Sequence, residues 1–218
     1  MVINIHTHHP KGEAHLKEVE NLRPGISASG KTAFFSVGLH PWFLQEDTFE
    51  SDLNWLEQHA YRPEVLAVGE AGLDKICATP MELQLLAFEA CAEIAEQCQK
   101  PLIIHCVRAH SEVYQCKQLW RPKQPWILHG FDKHLQTAAM FEQAGFYFSF
   151  GKALFHENSH AAETLRATAP DRIFVETDDA AELEIAQVYE RAAQCLGLDS
   201  QQFSEQIQRN FESVFMSP

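Results

Sequence analysis

The first residues that could do chemistry are two histidines near the start of the chain, His6-Thr7-His8. They follow a short apolar run, residues 2–5, whose composition favours a β-strand. Side chains two positions apart on a strand point to the same face, so both imidazoles can reach one metal ion. An H-x-H pair alone is weak evidence, because histidines near an N-terminus are commonly solvated. Its weight depends on what the other strands bring to the same place.

Several later apolar runs also end in residue types that bind metals. These residues are Glu70, His105, His129 and Asp178. One of them alone could be a buried, hydrogen-bonded polar group, but so many in strand order favour a shared site, because parallel barrel strands end on one face. Imidazole and carboxylate ligands suit Zn, Mn or Fe better than Ca. The set exceeds what one ion needs, so we expect a second ion.

Strand-like runs alternate with helical patterns along the chain. The runs that favour strands are 2–5, 33–37, 65–68, 102–105, 126–128, 146–149 and 171–175. The patterns that favour helices are 50–59, 80–99, 111–120, 133–144, 159–168, 181–196 and a last helix that opens at Asp199. This alternation predicts βα units and a parallel sheet. We therefore expect an α/β fold, a TIM-type (β/α) barrel, as one domain over residues 1–218.

The N-terminal part is short for such a barrel. An eight-stranded barrel typically needs about 250 residues, and this chain has 218. The shortfall lies in residues 10–32, which are too few and too irregular for a full α-β-α passage. Residues 13–22 fit either a strand or two helical turns. We therefore expect a distorted barrel or a shortened second βα unit.

Six motifs occur in order over nearly the whole chain. They are His6-Thr7-His8, Val37-Gly38-Leu39-His40-Pro41, Val68-Gly69-Glu70-Ala71-Gly72-Leu73-Asp74, Pro101-Leu102-Ile103-Ile104-His105-Cys106-Val107-Arg108, Leu128-His129-Gly130-Phe131 and Glu176-Thr177-Asp178. Together they resemble the TatD family of metal-dependent hydrolases and deoxyribonucleases, for which the G-E-x-G-L-D and E-T-D elements are specific. The resemblance implies a TIM-barrel hydrolase of the amidohydrolase type.

The resemblance also divides the candidate ligands between two metal ions. It puts His6, His8 and Asp178 on one ion and His105 and His129 on the other. Glu70 then bridges the two ions. We expect two divalent ions, Zn, Mg or Mn, roughly 3.5–4 Å apart, with all six side chains around one cavity.

These residues lead to a hypothesis about the reaction. Asp178 is the best candidate for the general base that accepts a proton from water, and Glu70 is the next. We predict phosphoester hydrolysis, with nucleotides removed from DNA ends. An amide, lactone or other ester hydrolase with the same metals is an alternative, as is a catalytically silent barrel that acts as a binding protein. The PHP phosphatases also open with H-x-H, but they lack the G-E-x-G-L-D and E-T-D elements.

Two further residues are candidates for substrate binding. His40 could donate to a phosphoryl oxygen or be a structural histidine in a tight turn, with equal weight. Arg108 could clamp a phosphate in a bidentate fork or pair with Asp74, and we favour the pairing. Two departures from the family stand out. The second β-run is shortened or absent, and Asp179 adds an acid that could alter metal choice or repel a polyanion.

Composition limits the kind of substrate and the compartment. The net charge of −13 and the lack of a Lys/Arg cluster argue against a grip on extended duplex. A small phosphorylated or single-stranded DNA substrate is compatible, because metal ions supply positive charge locally. We expect no signal peptide, no membrane span and no obligate protein partner. Its six cysteines lack disulfide-like spacing, so we expect reduced thiols and a cytoplasmic protein.

Overall fold

The computed structural model describes residues 2–216, which contain one eight-stranded parallel sheet. Each strand hydrogen-bonds to the next in chain order: β1 Val2–Thr7, β2 Leu16–Leu22, β3 Phe34–Val37, β4 Val65–Asp74, β5 Leu102–Val107, β6 Trp126–Leu128, β7 Phe146–Phe150 and β8 Ile173–Val175. This order is that of a TIM-type (β/α) barrel and confirms the predicted fold class. Residues 1, 217 and 218 of the predicted domain lie outside the described residues.

Helices connect most of the strands. They are α1 Phe49–Ala60, α2 Met81–Cys98, α3 His110–Trp120, α4 Leu135–Gln143, α5 Ala161–Ala167, α6 Ile185–Leu196 and α7 Ser200–Phe215. The last helix begins where the sequence predicts, because the Asp199 carboxylate caps it by accepting the Gln202 N–H at 2.7 Å. Within residues 2–216, no helix combines the length and the apolar character that crossing a bilayer requires.

The prediction of a shortened or absent second strand is wrong. β2 is a full strand of seven residues, Leu16–Leu22, paired with β1 on one side and β3 on the other. The shortfall in chain length falls instead on the connections, because 8–15 and 23–33 contain no α-helix. The barrel thus keeps all its strands, and loops take the place of its first two helices.

Buried polar side chains of β2 hold these two loops. Glu18 accepts the backbone N–H groups of Lys11 and Gly12 at 2.8 and 3.0 Å, which fixes the loop after β1. Glu20 accepts the N–H and the hydroxyl of Ser29 at 3.0 and 2.9 Å, which fixes the loop after β2. Buried polar groups are stable when they are hydrogen-bonded in this way. The sequence of β2 therefore contains several polar residues even though most of the strand is buried.

The barrel closes between its first and last strands at Asp178. The Asp178 N–H donates to the carbonyl of His6 at 3.1 Å, and the His8 N–H donates to the carbonyl of Asp178 at 3.0 Å. These bonds form a parallel bridge between Thr7 and Asp178. Asp178 has φ +53°, a left-handed conformation that aspartate tolerates better than most residues. The closing seam therefore lies among candidate metal ligands.

One buried cation in the outer layer gives a testable effect on stability. Lys117 of α3 is 9% exposed, and its ammonium lies 5.0 and 4.8 Å from the rings of Trp126 and Phe146. Burial lowers the pKa of Lys117 to about 8, against the attraction of Glu96. Between pH 8 and its unfolded value of 10.5, the unfolded state binds more protons, so stability rises with pH.

We expect Lys117→Met to raise the free energy of unfolding by about 2 kcal/mol at pH 7, because the buried charge is gone. The advantage should shrink as pH rises through the window above. Denaturant unfolding at several pH values measures it, with exposed Lys123→Met as the control. A difference between variant and parent that does not change with pH would contradict this account.

Candidate metal centre

The histidine pair lies at the carboxyl end of β1. His6 is fully buried and His8 is about one third exposed, and the Nε2 atoms of both face Glu70 Oε2, at 3.4 and 3.5 Å. Thr7 points away from them and accepts a hydrogen bond from the Thr177 hydroxyl at 3.0 Å. The alternation of the strand thus presents both imidazoles to one place, as expected from their spacing.

Glu70 lies at the centre of the candidate site. Its Oε1 atom faces three imidazoles, with His129 Nε2 at 2.7 Å, His105 Nδ1 at 2.9 Å and His40 Nε2 at 3.2 Å. Its Oε2 atom faces the histidine pair of β1. The two carboxylate oxygens therefore face two different sets of imidazoles. We call them the β1 cluster (His6 and His8, with Asp178) and the β5 cluster (His105, His129 and His40).

Local irregularity in β4 turns Glu70 toward the centre of the barrel. The register of β4 against β5 shifts between Val68 and Ala71, and irregularities of this kind re-aim side chains near active sites. Gly38 permits the approach of β3 because a Cβ there would lie 2.5 Å from the Glu70 carbonyl oxygen. Asn21 donates to the Gly69 carbonyl at 2.8 Å and ties β2 to the same point.

Asp178 completes the β1 cluster from the other side of the seam. Its Oδ1 atom lies 3.5 Å from His6 Nε2 and 3.7 Å from His8 Nε2. Its Oδ2 atom faces the ammonium of Lys152 at 3.5 Å, and Lys152 also pairs with Asp179. The additional carboxylate of Asp179, which follows β8, is therefore paired with the ammonium of Lys152, which follows β7.

Two buried carboxylates orient histidines of the β5 cluster, a role that the motifs alone do not predict. Asp74 Oδ2 lies 3.1 Å from His105 Nε2 and accepts the Trp42 indole N–H at 2.5 Å. Glu176 Oε1 lies 3.3 Å from His129 Nδ1 and accepts the Gly130 N–H. Carboxylates commonly fix metal-binding histidines in this way. Asp74 ends the G-E-x-G-L-D element and Glu176 begins the E-T-D element, so membership of these motifs is the sequence signal that marks them.

The structure does not contain the predicted ion pair between Arg108 and Asp74. Arg108 is exposed and forms no ion pair among the described residues, because Trp42, the Ile76 N–H and His105 occupy Asp74. Its backbone has φ +52°, and it lines a cavity of about 250 Å³ that also reaches His129 and Lys133. The predicted pairing with Asp74 is therefore wrong, and the phosphate alternative is still open.

His40 combines parts of both predicted roles. Its Nδ1 atom accepts the Trp42 N–H at 3.1 Å, which caps a short 3₁₀ helix at Pro41–Phe43. The Nε2 atom then carries the proton and faces Glu70 Oε1. Burial lowers the pKa of His40, although Glu70 opposes the shift. The structure thus presents a neutral histidine with a fixed tautomer at the edge of the site.

The pKa shifts of the buried groups in the centre favour ionised carboxylates. Burial would raise the pKa of Glu70, but His129 and His105 hold it well below its usual range. Burial opposes the charged form of His6, yet Asp178 and Glu70 raise its pKa to about 9. The pKa of Asp178 is lowered by His6 and His129 in spite of burial. Stable carboxylates among buried imidazoles are suited to binding a cation.

The residues present fit divalent metal ions. Both ring nitrogens of His6 are buried and have no hydrogen-bond partner among the described residues, which leaves a lone pair available for a metal. Ligand atoms that lie within 4.8 Å of one another form several groups of three, including His6-His8-Asp178 and His6-Glu70-His129. Imidazole and carboxylate donors at such spacing are typical of Zn and Mn sites.

The sequence is also similar to those of known proteins. The sequence profile of the family described as "TatD related DNase" matches residues 5–216. A protein of Buchnera aphidicola subsp. Baizongia pistaciae (strain Bp), named "Uncharacterized metal-dependent hydrolase", is 26% identical over 86% of this chain and 76% of its own length. The "3'-5' ssDNA/RNA exonuclease TatD" of Citrobacter rodentium (strain ICC168) is 32% identical over 66% of this chain and 56% of its own length.

A solved structure shows the same fold. The YjjV protein, a TatD homolog from Escherichia coli K12, superposes with a TM-score of 0.79 over 93% of this chain and 87% of that one, at 21% identity. The chain spans little more than half the length of the Citrobacter relative and about three quarters of the Buchnera relative. The profile match covers β2 to β8, the end of β1, the six motifs and the candidate site. This chain therefore belongs to the TatD-related DNase family.

Proposed function

We propose that this chain is a divalent-metal-dependent phosphodiesterase that removes nucleotides from the ends of single-stranded nucleic acid. One observation carries the proposal: the Glu70 carboxylate lies between two imidazole clusters and offers one oxygen to each. Such a carboxylate can bridge two ions, and paired ions are common in enzymes that cleave phosphodiesters. Membership of the TatD family supports the same reaction class, as does the similarity to the Citrobacter exonuclease.

The clusters suggest which residues would hold each ion. His6, His8 and Asp178 would hold one ion, and His105 and His129 would hold the other, with Glu70 shared between them. When bound, divalent ions acidify a water molecule and withdraw electron density from the phosphoryl group. Asp74 and Glu176 would keep His105 and His129 in fixed orientations, which favours tight binding.

The protein's own side chains would move the proton and bind the phosphate. Asp178 holds its carboxylate at the edge of the β1 cluster and is the candidate that accepts the proton from water. Arg108 and Lys133 line the cavity beside His129 and could hold a phosphate on that side. Lys152 would balance charge at Asp178 and Asp179. His40, as a neutral donor beside Glu70, would orient the carboxylate.

The acidic balance of the chain favours single-stranded ends as substrate. The net charge is −13, and the basic residues near the site are few and local. Duplex binding depends on many phosphate contacts, so its affinity should be low here. A single strand can place one terminal phosphate at the centre and keep the rest of its backbone away from the acidic surface.

A substrate panel with metal analysis tests this proposal. We expect purified protein to lose phosphodiesterase activity in a chelator and to recover it with Mn²⁺, Mg²⁺ or Zn²⁺. A labelled single-stranded oligonucleotide should be shortened from one end much faster than closed circular duplex DNA is cut. Parallel assays on a chromogenic carboxylic ester, a lactone and an amide provide the comparison.

Three outcomes of this panel would count against the proposed function. Equal rates on closed circular duplex and on single strands would contradict end-directed action. Hydrolysis of the lactone or amide in preference to every phosphodiester would favour another reaction of the same metal centre. Protein that binds no divalent ion under any condition would favour a silent barrel.

A further inference from the structure

We infer that a cavity beside His40 binds the nucleobase of the nucleotide being removed, with Phe43 as its stacking surface. This inference rests on the proposed function and identifies a base-binding subsite for it. The cavity has a volume of about 250 Å³ and lies between the end of β2 and the segment that leads from β3 into α1. Its lining includes Arg23, His40, Phe43, Gln45 and Asp52. We call it the Phe43 cavity.

The pairing of Arg23 with Phe43 is the first observation that points to a base. The central carbon of the Arg23 guanidinium lies over one face of the Phe43 ring, 3.5 Å from the ring centre, so a base would use the other face or the outer side of the guanidinium. Phe43 is still 47% exposed, and the neighbouring Trp42 is 57% exposed. Aromatic rings and guanidinium planes are the surfaces on which proteins stack unpaired bases. Phe43, Trp42 and the Arg23 guanidinium therefore offer surfaces of this kind at the mouth of the cavity.

The position of the cavity is the second observation. The ring centres of His40 and Phe43 are 5.4 Å apart, and His40 Nε2 lies 3.2 Å from Glu70 Oε1. One side chain therefore separates the cavity from the centre of the candidate metal site. A base in the cavity would leave its phosphate near Glu70, as removal of a terminal nucleotide requires.

Size and polarity match a single base. The cavity is smaller than the roughly 300–1,000 Å³ of pockets for drug-sized ligands, so it suits one base and not a dinucleotide. Gln45, Thr48 and Asp52 add polar groups to a lining that also contains Leu39 and Leu44. Stacking tolerates any base, so we expect weak sequence preference.

An abasic substrate separates base recognition from phosphodiester chemistry. We expect the parent to hydrolyse an oligonucleotide with a normal terminal nucleotide about tenfold more efficiently than one whose terminal nucleotide lacks its base. Phe43→Ala should remove most of this preference by raising KM for the normal substrate, and it should leave the abasic rate unchanged. Phe155→Ala provides a matched control, because Phe155 is 44% exposed and lies outside the cavity.

Binding of a nucleoside monophosphate, measured by calorimetry, tests the cavity independently of catalysis. Binding by the parent that Phe43→Ala weakens and Phe155→Ala does not would support the cavity even if no phosphodiester were hydrolysed, in which case only the proposed function would fall. Equal preference for the normal end in the parent and Phe43→Ala would overturn the inference. So would the absence of mononucleotide binding to a parent that shows no base preference. Circular dichroism confirms that each variant is folded.

Discussion

Replacing Glu70 by glutamine should lower kcat/KM by at least ~1,000-fold, because it removes the anion shared by both imidazole clusters. Glutamine has nearly the same size, but it offers one neutral oxygen and one N–H group to five surrounding imidazoles. We expect metal content to fall as well, since the bridge between the proposed ions is lost. Elemental analysis of the purified variant, together with steady-state kinetics at several metal concentrations, measures both effects.

Glu18→Gln is a matched control for this experiment. Glu18 is also a buried carboxylate, with 3% exposure, but it lies in β2 and binds loop N–H groups. It should reduce stability without changing the number of ions bound. Glu70→Gln protein that held two ions as tightly as the parent would exclude the bridging role.

Replacing Asp178 by asparagine should lower kcat by at least ~100-fold at saturating metal. Asparagine keeps the size of the side chain and one oxygen ligand, but it cannot accept the proton. It also tolerates the left-handed backbone at this position, so the seam of the barrel should still close. The ion proposed for His105 and His129 should be retained, because its ligands come from other strands.

The informative measurement for Asp178→Asn is kcat as a function of metal concentration. The control is Asp179→Asn, a neighbouring exposed carboxylate that pairs with Lys152 and has no contact with the histidines among the described residues. Recovery of the parent rate at high metal would mean that Asp178 is a ligand only. Glu70 would then be the next candidate for the base.

Most strands could be predicted from the sequence because their residues are apolar on both faces. β4, for example, is buried at all ten positions, and its run of apolar residues is easily recognised. The sequence does not distinguish β2 from an exposed segment, because the strand contains polar residues. Glu18 and Glu20 are in fact buried, since loop N–H groups from Lys11 and Ser29 satisfy them. Such partners become visible only when the loops are in place.

The candidate ligands could also be predicted from the sequence, but the carboxylates that orient them could not. Parallel strands end on one face, so the residue types at those ends are enough to bring the ligands together. Side-chain partners depend on rotamers and on contacts between distant segments. Asp74 accepts a hydrogen bond from the indole of Trp42, thirty-two positions away, and does not pair with Arg108. Glu176 turns toward His129 of a strand that is not its neighbour.

The seam at Asp178 links the candidate metal centre to the closure of the barrel. The same residue supplies backbone hydrogen bonds that join the first and last strands and a carboxylate of the β1 cluster. A chain whose first and last strands are not yet paired lacks that carboxylate in the candidate metal centre. The β1 cluster would therefore stay incomplete in a growing chain until Asp178 has been added and the seam has formed.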